Sequence, residues 1–170
     1  MKYFKISEDR NIENLPVLIG FVDYIVKART IDDEDNIVRV KPKRSIKYTD
    51  YMDKTLLCVS DVFKSVVELY HHDYVYKTVV LLNKDSGSQK LYWNIEMPDE
   101  AKCLSSKTTY YAHNGTLKDI VVNEKAAEGL SMFRIKDKLW NTYIVRLDMA
   151  ESLLRRGLYG FTLKELAHES

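Results

Sequence analysis

The alternation of apolar and polar positions is clearest over residues 130–166. Met132, Phe133, Arg134 and Ile135 predict one strand and Tyr143, Ile144 and Val145 another, with a short helix over residues 148–156. Asp148 with Glu151 reads as an acidic N-cap and its N3 partner, able to satisfy amides of the first turn that have no intrahelical acceptor. Arg155 and Arg156 fall where the helix dipole favours cations. Gly157 stands at the C′ position, where left-handed backbone strains any residue that carries a Cβ. Gly160, Phe161, Thr162 and Leu163 then predict a closing strand.

The same periodicities organise the residues upstream. Residues 3–6 predict an opening strand, followed by a polar turn. Over residues 17–27 the apolar positions fit a helical stripe and a buried strand alike, and the Val, Ile, Phe and Tyr content tips the choice to strand. The acidic turn Asp32, Asp33, Glu34, Asp35 would join that segment to Ile37, Val38, Arg39, Val40 as a hairpin. Residues 56–59 predict a buried strand leading through Ser60 or Asp61 as N-cap into a helix ending near Tyr70, with Val62, Phe63, Val66, Val67 and Tyr70 as its apolar face. Residues 75–82 and 90–97 predict a long hairpin, with Leu91, Trp93, Ile95 and Met97 on one face and Tyr92, Asn94 and Glu96 on the other. Residues 99–104 predict a helical turn. Asn114-Gly115 predicts a type I′ turn between residues 108–112 and 117–122.

Strand, capped helix and strand thus occur twice, over residues 56–82 and 143–166. Asp61, Val62, Val66 and Val67 are echoed by Asp148, Met149, Leu153 and Leu154. The fold class is α+β, mostly antiparallel strands and hairpins with two short capped helices in a single domain.

Composition narrows the function more than the fold. A chain of 170 residues with net charge +1 exerts no global pull on nucleic acid or anionic membrane. Cys58 and Cys103 have neither a CxxC partner nor zinc-ligand spacing, which fits a reducing compartment. The first residues lack a signal peptide's apolar core, and the longest apolar run, residues 15–26, contains Pro16, Gly20 and Asp23 and is too short to span a bilayer, so a cytoplasmic location is expected. No GxSxG, HExxH, DxDxG or Gly-rich phosphate loop is present. The sequence therefore predicts no catalytic residues, no metal ligands and no cofactor. The adjacent His71 and His72 have side chains that diverge, and they suit a helix end better than a metal. Lys41, Lys43, Arg44 and Lys47 with Tyr48 and Tyr51 could form a single-stranded nucleic-acid platform over residues 39–51, an alternative role. A hydrolase built around His71 or His113 is a more distant one.

The ordered run Leu57-Cys58-Val59-Ser60-Asp61, Tyr92-Trp93-Asn94-Ile95, Asp119-Ile120-Val121-Val122-Asn123-Glu124, Met132-Phe133-Arg134-Ile135, Tyr143-Ile144-Val145 and Gly157-Leu158-Tyr159-Gly160-Phe161 resembles the immunity proteins of bacterial polymorphic toxin systems, in particular the related groups numbered eleven and forty-three. The resemblance covers residues 55–166 as an α+β core and leaves residues 1–54 as a strand and hairpin region of the same domain. It departs from the family pattern at Arg146, where a serine is expected after the second Ile-Val strand, so the helix cap would move to Asp148. It implies a cytoplasmic, non-enzymatic protein that binds and neutralises a cognate toxin domain encoded nearby. Two stretches are candidates for the toxin contact. One is the acidic turn Asp32, Asp33, Glu34 and Asp35, able to steer encounter with a basic cleft. The other is a tyrosine-bearing face around Tyr92, Tyr110 and Tyr111.

Overall fold

The computed structural model describes residues 1–20 and 36–170. In chain order their strands are β1 (Tyr3–Glu8), β2 (Leu18–Ile19), β3 (Ile37–Val40), β4 (Tyr51–Met52), β5 (Cys58–Val59), β6 (Val75–Leu82), β7 (Gln89–Glu96), β8 (Val121–Asn123), β9 (Met132–Lys136), β10 (Asn141–Arg146) and β11 (Phe161–Glu169). Helix α1 (Asp61–Tyr70) follows β5 and helix α2 (Leu147–Arg155) follows β10, with a 3₁₀ turn at Ala101–Cys103. The fold is mixed α+β with mostly antiparallel strands, as the periodicities predict. Its residues divide into two units. Unit 1 comprises Met1–Ser7, Met97–Arg156 and Thr162–Ser170, and unit 2 comprises Glu8–Glu96 and Gly157–Phe161.

Unit 1 is built on the sheet β8-β11-β1-β10-β9. β10 pairs antiparallel with both β1 and β9, while β11 runs parallel to β8. Tyr3, Phe133, Ile144, Val122 and Leu166 fill its core together with Cys103. Helix α2 buries Met149, Ala150 and Leu153.

Its cap differs from the one the sequence predicts. The helix begins at Leu147, with Arg146 at the N-cap and no side-chain cap bond. Asp148 sits inside the first turn, where both of its oxygens accept from the Arg146 guanidinium at 2.8 Å. The bidentate ion pair wins over the cap because it satisfies two charged groups together, while Asp148 still lies near the helix N-terminus. At the other end Gly157 has φ 69°, the left-handed C′ conformation predicted for it.

The turn at Asn114-Gly115 is also of a different kind. Gly115 has φ 67° but Asn114 does not have positive φ, so the turn is not type I′. The amide of Tyr111 donates to Thr116 O and that of Gly115 to Tyr111 O, closing a longer loop around a single left-handed residue.

Unit 2 carries the sheet β2-β3-β6-β7-β5-β4. β2 pairs antiparallel with β3, so the expected hairpin partners do meet; residues 21–35 lie outside the described residues. β6 and β7 form the long antiparallel hairpin, from Val75↔Glu96 to Leu82↔Gln89. Ser60 is the N-cap of α1 and accepts the Phe63 amide at 3.3 Å. Phe63, Val66 and Val67 are buried, whereas Val62 is exposed and not on the apolar face predicted for it. Val38, Met52, Cys58, Val79, Leu81 and Tyr92 form the core on one side of the sheet.

Candidate interaction surface

Exposed aromatic and aliphatic side chains gather on two loops of unit 1. Tyr110 and Tyr111 are 53% and 44% exposed at the tip that leads toward β8, and Leu139 and Trp140 are 50% and 55% exposed at the tip of the β9–β10 hairpin. Single exposed apolar residues are ordinary on any surface, but four large ones on two touching loops are not.

The two loops are tied together through Asp137. One of its carboxylate oxygens accepts the Leu117 amide at 2.8 Å and the other accepts the Lys138 amide at 2.7 Å. The Lys138 side chain also packs over Gly115 so closely that a Cβ there would meet its ammonium. Within the first loop, Asn114 Oδ1 accepts from both the amide and the hydroxyl of Thr116, and Thr109 Oγ1 donates to Asp119. The Tyr111 ring lies 5.6 Å from His113. Such local bonds hold a loop in one conformation, which lowers the entropy cost of binding through it.

Of the residues proposed from sequence, Tyr110 and Tyr111 are exposed on the first of these loops and Tyr92 is not. Tyr92 is 1% exposed in the core of unit 2, and its hydroxyl donates to Thr49 O at 2.7 Å. Burial pushes its phenol above the ordinary tyrosine value. The reason lies in the two faces of β7. Tyr92 and Asn94 are buried with each polar tip reaching a backbone carbonyl, Asn94 Nδ2 donating to Leu57 O at 2.8 Å, and Ile95 on the opposite face is buried as well. Leu91, on the other face, is half exposed. Trp93 shares that face and is partly covered, its Nε1 donating to Asp61 and the Lys64 ammonium 4.6 Å from its ring centroid. Asp32, Asp33, Glu34 and Asp35 lie outside the described residues.

Sequence reasoning missed Leu139, Trp140 and Asp137. The available signal was the pair of large apolar residues inside the polar turn Asp137-Lys138-Leu139-Trp140-Asn141, which serves neither strand periodicity nor a core.

The basic stretch is less suited to the platform proposed for it. Lys41, Lys43, Arg44 and Lys47 are exposed, but Tyr51 is wholly buried, 5.5 Å from Phe63, and Tyr48 is partly buried beside Tyr92. Of the two aromatics such a platform would use for stacking, Tyr51 belongs to the core. His71 is buried in a parallel stack on Tyr74 at 4.3 Å, while its neighbour His72 is exposed. Among the described residues no helix is long and apolar enough to cross a membrane.

No protein-family model matches the chain, and no curated protein matches it either. The resemblance to immunity proteins therefore rests on the ordered motifs of the sequence.

Proposed function

We propose that this protein is an immunity protein, acting in the cytoplasm of a toxin-producing bacterium by binding its cognate toxin domain in a stoichiometric complex. The observation that carries this reading is the paired-loop surface of Tyr110, Tyr111, Leu139 and Trp140, held in place by Asp137. Tyr and Trp supply large contact areas at small conformational cost, and they dominate binding energy at protein interfaces. The resemblance supplies the kind of partner, and the surface supplies a means of holding it.

The test uses the product of the neighbouring reading frame, its toxin domain inactivated by mutation and titrated calorimetrically with this protein. One-to-one binding is expected, with Trp140→Ala weakening it by about 2 kcal/mol, roughly thirtyfold, and leaving the melting temperature unchanged. Absence of a complex rejects the immunity reading. A complex that is indifferent to both Trp140→Ala and Tyr111→Ala keeps the function but moves the surface.

A further inference from the structure

The strand pairings of the two units follow one scheme. In unit 2, β4 is antiparallel to β5, β5 to β7 and β7 to β6, and β6 is parallel to β3. In unit 1, β9 is antiparallel to β10 and β10 to β1, β1 neighbours β11, and β11 is parallel to β8. Each unit launches its helix from the same place, α1 from β5 and α2 from β10, the N-cap being Ser60 directly after β5 and Arg146 at the end of β10. In each, the strands before and after the helix are separated in the sheet by one intervening strand, β7 or β1.

Setting the ladders of the two units against each other puts their strands in correspondence residue by residue. Tyr51↔Val59 and Met52↔Cys58 correspond to Met132↔Val145 and Phe133↔Ile144. Val59↔Trp93 corresponds to Val145↔Phe4, and Val38↔Leu81 to Val122↔His168. These pairings place Val38, Met52, Cys58, Val79 and Tyr92 over Val122, Phe133, Ile144, Leu166 and Tyr3. All of the first set lie in the core of unit 2 and all of the second in the core of unit 1, while Leu81, also in the core of unit 2, falls on the exposed His168. On the helices Phe63 falls on Met149 and Val67 on Leu153, buried in each case.

In this correspondence the echo seen in the sequence is one residue out. Asp61 corresponds to Leu147 and not to Asp148, which is why Val62 and Leu154 are both exposed. Short strand-helix-strand units resemble one another by physics alone. A parallel pair at the same position, a split crossover and core positions that coincide on five strands are choices that physics leaves open.

The units differ in the order of their strands along the chain. Unit 2 runs β3, β4, β5, α1, β6, β7. Unit 1 runs β8, β9, β10, α2, β11, and the place of β7 is filled by β1. We infer that the chain is a tandem duplication of one β-β-β-α-β-β module, and that β1 is the last strand of the second copy, carried ahead of the first copy. The junction β11–β1 is then the counterpart of the β6–β7 hairpin. The two ends suit this, since Ser170 Oγ donates to Glu124, which also receives the Met1 amino group.

The inference is tested by a circular permutant. The chain is opened between Arg10 and Asn11, which are exposed in a polar turn, and Ser170 is joined to Met1 through Lys-Asp-Ser-Gly-Ser-Gln, the sequence of residues 84–89. A second permutant carries a Gly/Ser linker of equal length, and a third variant lacks residues 1–8. The first permutant is expected to fold, to melt within about 5 °C of the parent and to melt at or above the Gly/Ser version, because the copied turn fits the register. The truncated chain is expected to lose cooperative unfolding of unit 1. Failure of both permutants to fold, a copied turn that melts below the flexible linker, or a truncated chain that melts like the parent would each overturn the inference.

Discussion

Gly157 and Gly160 both have positive φ, 69° and 98°, yet the surroundings of the two differ. A Cβ at Gly157 would meet nothing within 4 Å, so Gly157→Val costs backbone strain alone, about 1 kcal/mol or somewhat more. A Cβ at Gly160 would overlap the Thr49 side chain. Thr49 cannot yield, because its hydroxyl donates to Tyr51 O at 3.1 Å and its carbonyl accepts from Tyr92. Gly160→Ala is therefore expected to cost about 2–4 kcal/mol, strain and overpacking together, and denaturant midpoints should rank the two variants in that order. Asp148 tests the electrostatics. The hydrogen bonds from Arg146 hold its carboxyl below the ordinary carboxylate value. A carboxylate depressed in the folded state stabilises above its unfolded value, and that stabilisation disappears as the pH falls through the folded one. Because Asp148 is half exposed, Asp148→Asn is expected to cost only about 0.5 kcal/mol at pH 7. The difference from the parent should fade as melting is followed below about pH 3.9.

At the scale of elements, the two helices make the clearest contrast. Ser60 caps α1 through its side chain and Arg146 gives α2 no such bond. Ser60→Ala is expected to destabilise by about 1 kcal/mol, read as a shift in urea midpoint without a change in slope. Both helices and the long hairpins were legible in the sequence because their signals are local: a cap, a period, a turn between two alternating runs. β2 and β4 were not, since two residues make no period and their existence depends on the strand they pair with. The buried side of β7 escaped for a related reason. Alternation identifies two faces, but it does not show that Thr49 O and Leu57 O stand ready to accept the donors of Tyr92 and Asn94, which lets those polar residues go inside. The β9–β10 hairpin shows what duplication leaves behind. Between Met52 and Cys58 the first copy needs only residues 53–57, whereas between Phe133 and Ile144 the second continues its ladder to Lys136↔Asn141 and ends on Leu139 and Trp140. The tip proposed to contact the toxin is thus an addition to the module and not part of its frame.

For the molecule as a whole, the sequence revealed the class of fold but not its division. Reading the chain in order suggests an N-terminal region of residues 1–54 ahead of a core. The structure instead places both ends of the chain in unit 1, with β1 lying between β10 and β11, and assigns residues Gly157–Phe161 to unit 2. Pairings between residues so far apart leave no mark on local periodicity. Nor do the parallel pairs β3–β6 and β8–β11, whose partners are distant in sequence. Of the candidate surface, Tyr110 and Tyr111 were legible as exposed polar aromatics beside a turn, while Trp140 became meaningful only once Asp137 was seen joining the two loops.

Each unit contains one cysteine, and both are wholly buried, Cys103 in unit 1 and Cys58 in unit 2. Burial pushes the Cys58 thiol up to about 12, with Glu8 adding to it, and the Cys103 thiol up to about 11. Neither offers a thiolate to solvent until its own unit opens. Pulsed alkylation followed by peptide mass spectrometry therefore gives each half of the molecule a separate clock. Modification of Cys58 is expected to accelerate in Gly160→Ala with Cys103 little changed, and removal of residues 1–8 should do the reverse. Equal acceleration at both sulfurs would mean that the two copies, though built alike, open only together.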